Sequence, residues 1–270
     1  MKTSRACYVA RVATLALTFA GCKARAPVGE HPPAPARAPE AMGAEQHPAT
    51  TLVATALVAT ATVRPRPLPL SVPRAPKPVR LSSEFDVATW GRAVNTHTLL
   101  DDTGQGAVPV SEARFLWGNG HLYVHFYAGD LDLEVREKKR DGAVYQDDSV
   151  TLAFFDGVGG KRMLTVSPTG VLADGSCPAD ATSLADPRCD MRWNAHARVA
   201  FDYDGTLNQL GDFDEEWNVE LAIPLPSLAA HAASGTHIPF ALSRCDMAFD
   251  GQRACGAWGS SSDPAELILE

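Results

Sequence analysis

His121-Leu122-Tyr123-Val124-His125-Phe126-Tyr127-Ala128 alternates strictly, and successive side chains of an extended chain point to opposite faces. Leu122, Val124, Phe126 and Ala128 share one side, and His121, Tyr123, His125 and Tyr127 share the other. The stretch therefore reads as a strand with one apolar face turned to a core and one aromatic, polar face turned outward. The same period recurs at Val150, Leu152 and Phe154, at Ala197, Val199, Phe201 and Tyr203, and at Trp217, Val219, Leu221 and Ile223. Turn chemistry separates these runs: Trp117-Gly118-Asn119-Gly120, Asp156-Gly157-Val158-Gly159-Gly160, Ser167-Pro168-Thr169-Gly170 and Asp204-Gly205. Many strands at short spacing, with no long helical period, predict an all-β fold: an antiparallel β-sandwich of jelly-roll or immunoglobulin-like type. One short helix is expected near residues 226–233, because Pro224 and Pro226 stop the strand before it. Trp90, Trp117 and Trp217 stand in apolar alternation and are read as core.

The sandwich occupies only part of the 270 residues. Residues 1–80 carry 11 Lys or Arg against 3 Glu, whereas residues 81–270 carry 13 basic and 29 acidic residues. A basic arm thus precedes an acidic domain. Clustered Lys and Arg are what neutralise phosphate, so an acidic domain argues against a nucleic-acid partner. The one dense basic run, Arg136-Glu137-Lys138-Lys139-Arg140, is interrupted by a carboxylate and reads as a solvated loop.

The arm opens with Lys2, Arg5 and Arg11, followed by an uncharged apolar stretch over residues 12–21, the pattern of a secretory signal. The run ends in Thr18-Phe19-Ala20-Gly21-Cys22, which resembles the bacterial lipoprotein processing box. That resemblance implies cleavage after residue 21, acylation of Cys22, and a lipid-anchored place in the bacterial cell envelope. Lys23 next to the cysteine leans towards the outer membrane. Residues 22–80 are rich in Pro and Ala and lack the large apolar residues of a core, so they read as a disordered tether. Such a tether would set the domain on the order of 40 to 180 Å from the anchor. The membrane is contacted through that anchor alone.

Four cysteines remain in residues 81–270, and none forms Cys-x-x-Cys. An even number in an exported chain indicates disulfides. Three pairings exist, and short loop closure favours Cys177 with Cys189 and Cys245 with Cys255.

The order of landmarks carries a further resemblance. Phe85-Asp86-Val87-Ala88-Thr89-Trp90 precedes Ala113-Arg114-Phe115-Leu116-Trp117, then Asp130-Leu131-Asp132, Val144-Tyr145-Gln146-Asp147-Asp148-Ser149-Val150 and Glu216-Trp217-Asn218-Val219-Glu220-Leu221-Ala222-Ile223-Pro224. Together they resemble the family 9 carbohydrate-binding modules and their relatives in the DOMON group, over residues 81–270. The resemblance implies a poly- or oligosaccharide partner clamped between two aromatic rings, and structural calcium. It places Tyr145 as the first clamp ring and Trp258 as the second, with Thr151 where the family commonly has Glu and Met163 where it commonly has Arg. Asp130, Asp132, Asp147 and Asp148 supply hard oxygen donors of the kind calcium prefers, or else cap turns on a soluble surface. A glycoside hydrolase encoded separately is a partner such a module would serve.

Catalysis has little support, since Gly-x-Ser-x-Gly, His-Glu-x-x-His and a phosphate-cradling Gly-rich loop are all missing. The protein is expected to be no enzyme and to need no organic cofactor. His121 and His125 would lie roughly 13 Å apart on one strand face, too far for one metal ion, and read as surface residues. Two alternatives stay open: a haem-binding DOMON relative with Met163, Met191, Met247 or a His as axial ligand, and a structural envelope lipoprotein that has lost its ligand site.

Overall fold

Two sheets, antiparallel but for one edge pair, stack through their apolar faces in the computed structural model, which describes residues 67–270 apart from 83, 108, 210, 211, 230, 249 and 250. The expected signal, Cys22 and most of the tether lie outside the described residues. The strands are β1 (Leu70–Val72), β2 (Val94–Asn95), β3 (Ser111–Gly118), β4 (His121–Gly129), β5 (Ser149–Phe155), β6 (Gly160–Val166), β7 (Leu172–Pro178), β8 (Arg198–Asp204), β9 (Glu216–Pro224), β10 (His237–Met247), β11 (Arg253–Trp258) and β12 (Ala265–Leu269). One sheet runs β1-β12-β10-β5-β6-β7 with β11 also on β10, and the other runs β2-β3-β4-β9-β8. One edge of the long β10 bonds β5, while the other is shared between β12 and β11.

The alternation read from sequence decides which residues meet. Val150, Leu152, Phe154, Leu164, Phe240 and Leu242 of the seven-stranded sheet face Phe115, Leu122, Val124, Phe126, Trp217 and Val219 of the five-stranded one, all buried in one cluster. Phe115 and Phe240 meet edge to face across the sandwich, 5.5 Å between centroids, and burying each such side chain stabilises by roughly 1.5–3 kcal/mol. The β3–β4 hairpin closes through Asn119 (φ 50°) and Gly120 (φ 76°), the positive-φ pair that matches the twist of its strands.

Three expectations need correction. The folded part begins before Leu81: β1 pairs in parallel with β12, Leu70 against Leu267 and Val72 against Leu269. Three residues of a proline-rich arm carry no periodic signal; the exposed edge of β12 and the apolar Leu70 and Val72 make them a strand. The helix expected over 226–233 is a 3₁₀ turn at Leu225–Ser227, because β9 continues to Pro224 and Pro226 suits a first turn. A four-residue α-turn, α1 (Val87–Trp90), lies instead near the start, capped by the Asp86 carboxylate accepting from the Ala88 N–H. Finally, the polar face of β4 is not free: Tyr123 and His125 are buried. Ala75, Val79 and Trp90 lie over it, packed on Leu116, Tyr123 and Ala222. Buried Glu220 fastens this cover, accepting from Trp90 Nε1 at 2.6 Å and from the Ser82 N–H at 2.9 Å. Trp90, Trp117 and Trp217 are all buried, as read.

Candidate functional site

The expected ligand residues divide between the two faces of the seven-stranded sheet. Tyr145 sits half-buried in a 3₁₀ turn, Val144–Gln146, and packs on an outer-face cluster that includes Val144, Ala153, Met163, Ala173 and Leu184. Trp258 pairs with Leu242 and packs instead against the main core. The two rings therefore do not form a clamp: Trp258 sits at a strand position of inward parity, and Tyr145 is carried by a turn on the other face. Met163 is buried within the outer cluster and offers no ligand contact. Thr151 remains partly exposed, its Oγ1 2.9 Å from Thr165 Oγ1. With Ser243, these residues form a hydroxyl row across β10, β5 and β6.

Beside Tyr145 lies a hollow of about 450 Å³ lined by Arg136, Glu137, Ala143, Gln146, Asp147, Met247 and Arg253. Its rim is held by carboxylates turned onto backbone. Glu137 accepts from the N–H groups of Lys138, Lys139 and Ala143, which holds its pKa below the usual range. Asp147 Oδ2 accepts from the Arg136 and Glu137 N–H groups at 3.0 and 2.8 Å. The basic run thus folds back on its own acids as a fixed loop. The opposite wall, Met247 facing Arg253, belongs to β10 and β11, where Cys245 and Cys255 are directly opposed and joined. The second bridge, Cys177 to Cys189, pins the segment whose Ala181 and Leu184 join Met163 in the outer cluster. Both bridges follow the pairing expected from spacing, and each closes a loop worth roughly 2–4 kcal/mol.

The expected calcium donors also divide. Asp130 and Asp148 converge, but with Asp246 as third partner, their carboxylate oxygens all within 4.8 Å of one another. Asp147 is spent on the loop described above, and Asp132 lends its N–H to Asp130 Oδ1 at 3.2 Å, its carboxylate standing outside the converging three. Sequence reasoning missed Asp246 and its neighbour Arg244. No motif links them to Asp130: the pairing of β10 with β5 sets them beside Asp148, and the stacking of the two sheets brings in Asp130, just past the end of β4. Arg244 Nη2 donates to Asp130 Oδ2 at 2.7 Å and to Asp246 Oδ1 at 2.5 Å, and Trp217 Nε1 also donates to Asp130 Oδ2 at 3.0 Å. Asp148 accepts from the Glu134 and Met247 N–H groups at 2.6 and 2.7 Å. Burial, followed by the charge of Asp130, pushes the Asp148 pKa up to about 8. Burial outweighs Arg244 and raises Asp130 to about 6, while Asp246 is raised for the same first reason. Three ionised carboxylates facing one guanidinium leave a deficit of positive charge. A proton on Asp148 or a hard cation fills it, and the all-oxygen donors suit calcium in kind. Any ion there would share Asp130 and Asp246 with Arg244.

No protein-family model matches this sequence, and neither does any curated protein. Solved structures match by fold. A provisionally classed carbohydrate-binding protein from Bacteroides uniformis is 12% identical with a TM-score of 0.54, the match covering 75% of this chain and 99% of that one. A family 9 carbohydrate-binding module from Caldicellulosiruptor kristjanssonii, solved with cellotriose, is 17% identical with a TM-score of 0.50, covering 74% and 93%. At such identities the likeness establishes the shared β-sandwich.

Proposed function

We propose that the protein is a non-catalytic sugar-binding module whose ligand surface is the outer face of the seven-stranded sheet around Tyr145. The observation that carries this reading is the half-exposed Tyr145 ring standing beside a polar hollow, with Arg136, Gln146, Asp147 and Arg253 within it and the Thr151–Thr165 hydroxyl row on the same sheet. An aromatic face packs the C–H side of a sugar ring, while donors and acceptors around it fix the hydroxyls. One ring acts as a platform here, in place of the two-ring clamp. The fold shared with a module solved with cellotriose supports the same class of ligand.

Weak binding of millimolar to micromolar strength is expected, about −4 to −8 kcal/mol. Calorimetry of the full, oxidised chain against soluble oligosaccharides tests the reading. Tyr145→Ala should weaken binding roughly tenfold or more, since ring stacking contributes about 0.5–1.5 kcal/mol beyond buried area. Undiminished affinity in Tyr145→Ala would remove this surface from consideration. With Cys22 acylated, the module would hold glycan at the bacterial envelope, where a separately encoded glycoside hydrolase would act on it.

Calcium at Asp130, Asp148 and Asp246 belongs to the same reading as a structural ion. Adding calcium should raise the unfolding temperature at pH 8, where Asp148 (pKa about 8) and Asp130 (about 6) give up protons, and should do little at pH 5. An unfolding temperature indifferent to calcium and to chelator at pH 8 leaves Arg244 and a proton as the only counter-charges.

A further inference from the structure

We infer that the outer face of the five-stranded sheet carries a second binding site, a cleft built on His125 that takes a compact, uncharged polyhydroxylated ring such as a sugar residue. It lies on the sheet opposite the Tyr145 surface and is independent of that reading.

The cleft has a volume of about 350 Å³, near the lower end of the roughly 300–1,000 Å³ of small-ligand sites, so it suits one or two rings rather than a long chain. Its floor is drawn from three adjacent strands: Glu112 and Arg114 of β3, His125 and Tyr127 of β4, Glu216 and Asn218 of β9. Phe85 and Val110, both more than two-fifths exposed, wall it with apolar surface.

His125 is the anomaly that points to a ligand. It is 3% exposed, lines the cleft, and neither ring nitrogen has a hydrogen-bond partner. Buried polar atoms are nearly always paired, and leaving one unpaired costs about 1–3 kcal/mol. The ring packs on aromatic neighbours without using its nitrogens: Phe85 lies 4.8 Å away in a T-shaped contact and Trp90 lies 5.4 Å away, tilted. Burial, with Arg114 adding to it, lowers the His125 pKa to about 4. At neutral pH the imidazole is uncharged and carries one donor and one acceptor, both closed to water in the ligand-free chain. Hydroxyl groups can answer both; an ammonium can answer only the acceptor and a carboxylate only the donor.

The surrounding groups agree with an uncharged polyol. Glu112 is already matched by Arg114 at 2.6 Å and by Asn95 Nδ2 at 2.9 Å, and Arg114 lies 5.5 Å over the Phe85 ring. Burial, and then the neighbouring Glu216 carboxylate, raise the Tyr127 phenol above its usual pKa, and Asn218 Nδ2 stands 3.5 Å from Glu216 Oε1. One guanidinium against two carboxylates disfavours an anionic ligand, and the amide, phenol and carboxylate supply donors and acceptors at the rim. The half-exposed Phe85 ring offers the flat apolar face on which a sugar packs.

Imidazole resonances of the full chain, labelled at histidine, should be recorded while glucose, xylose and cellobiose are added in turn. The His125 signals are expected to shift saturably with at least one of them. His125→Phe keeps a ring packed against Phe85 and Trp90 while removing both nitrogens, and should weaken cleft binding about tenfold or more. If that variant does not fold, Tyr127→Phe, at the partly exposed rim, serves and should weaken binding severalfold. Tyr145→Ala should leave the His125 shifts unchanged, so loss of the Tyr145 surface and loss of the cleft are read separately. His125 resonances unmoved by all three sugars would overturn the site, as would His125 shifts that disappear in Tyr145→Ala or persist unchanged in Tyr127→Phe, or a calorimetric affinity for the cleft sugar left unchanged by His125→Phe.

Discussion

Replacing Arg244 with Met lowers stability by about 3–5 kcal/mol at pH 8, and by distinctly less at pH 5. Arg244 is 3% exposed and is the guanidinium that holds both Asp130 and Asp246. Without it, three converging carboxylates face one another in a largely buried site, and breaking a buried pair by deleting one partner strands the other charge. The pH dependence follows from the carboxyl groups. Asp148 and Asp130 titrate near 8 and 6 in the folded chain and near 3.9 when unfolded, so between these values the folded state holds more protons. Stability supplied by those protons is fully present below about pH 4 and is lost as pH rises through about 6 and then about 8. The unaltered protein, free of divalent cations, should therefore become less stable from pH 5 to pH 8. Arg244→Met should steepen that decline, because the protonated carboxyls at pH 5 have little charge to strand. Thermal unfolding at the two pH values checks this, with each kcal/mol worth about 2–4 °C for a domain of this size. An equal loss at both would mean that Arg244 acts by packing and that the carboxylates are not coupled to it.

Trp217→Ala is expected to cost about 3–5 kcal/mol. Its ring is fully buried, packs 5.4 Å from Phe126, and donates to the same Asp130 Oδ2 that Arg244 holds. Trp217→Phe keeps most of the volume and removes only the donor, so it should cost about 1–2 kcal/mol. Because Trp217 and Arg244 share one oxygen, the losses of Trp217→Phe and Arg244→Met should not add. Denaturant unfolding of the single and double variants measures the coupling; strictly additive losses would show that Asp130 is not the common partner.

The parts of the molecule that proved legible are those governed by local chemistry. Strand alternation located β4, β5 and β9, Asn119-Gly120 announced the hairpin, and cysteine spacing gave both bridges. The illegible parts are governed by what lies far away in sequence. Leu70–Val72 becomes a strand only because β12 presents an edge to it. His125 is buried because Phe85 and Trp90 return over a face that alternation assigned to solvent. Asp246 joins Asp130 through an arginine 114 residues from it, beyond any local pattern. Trp258 looked equivalent to Tyr145 by its place in the order of landmarks. Strand parity turned it inward instead, and the Tyr145 turn kept its own ring on the outer face.

Chemical-shift mapping of the full, oxidised chain with the oligosaccharide that binds it best tests the central claim most directly. The account predicts perturbations centred on Tyr145, Thr151, Thr165, Ser243 and the Arg136–Asp147 loop, saturating with the calorimetric affinity, alongside a separate set at His125. Perturbations absent from the Tyr145 face would contradict it.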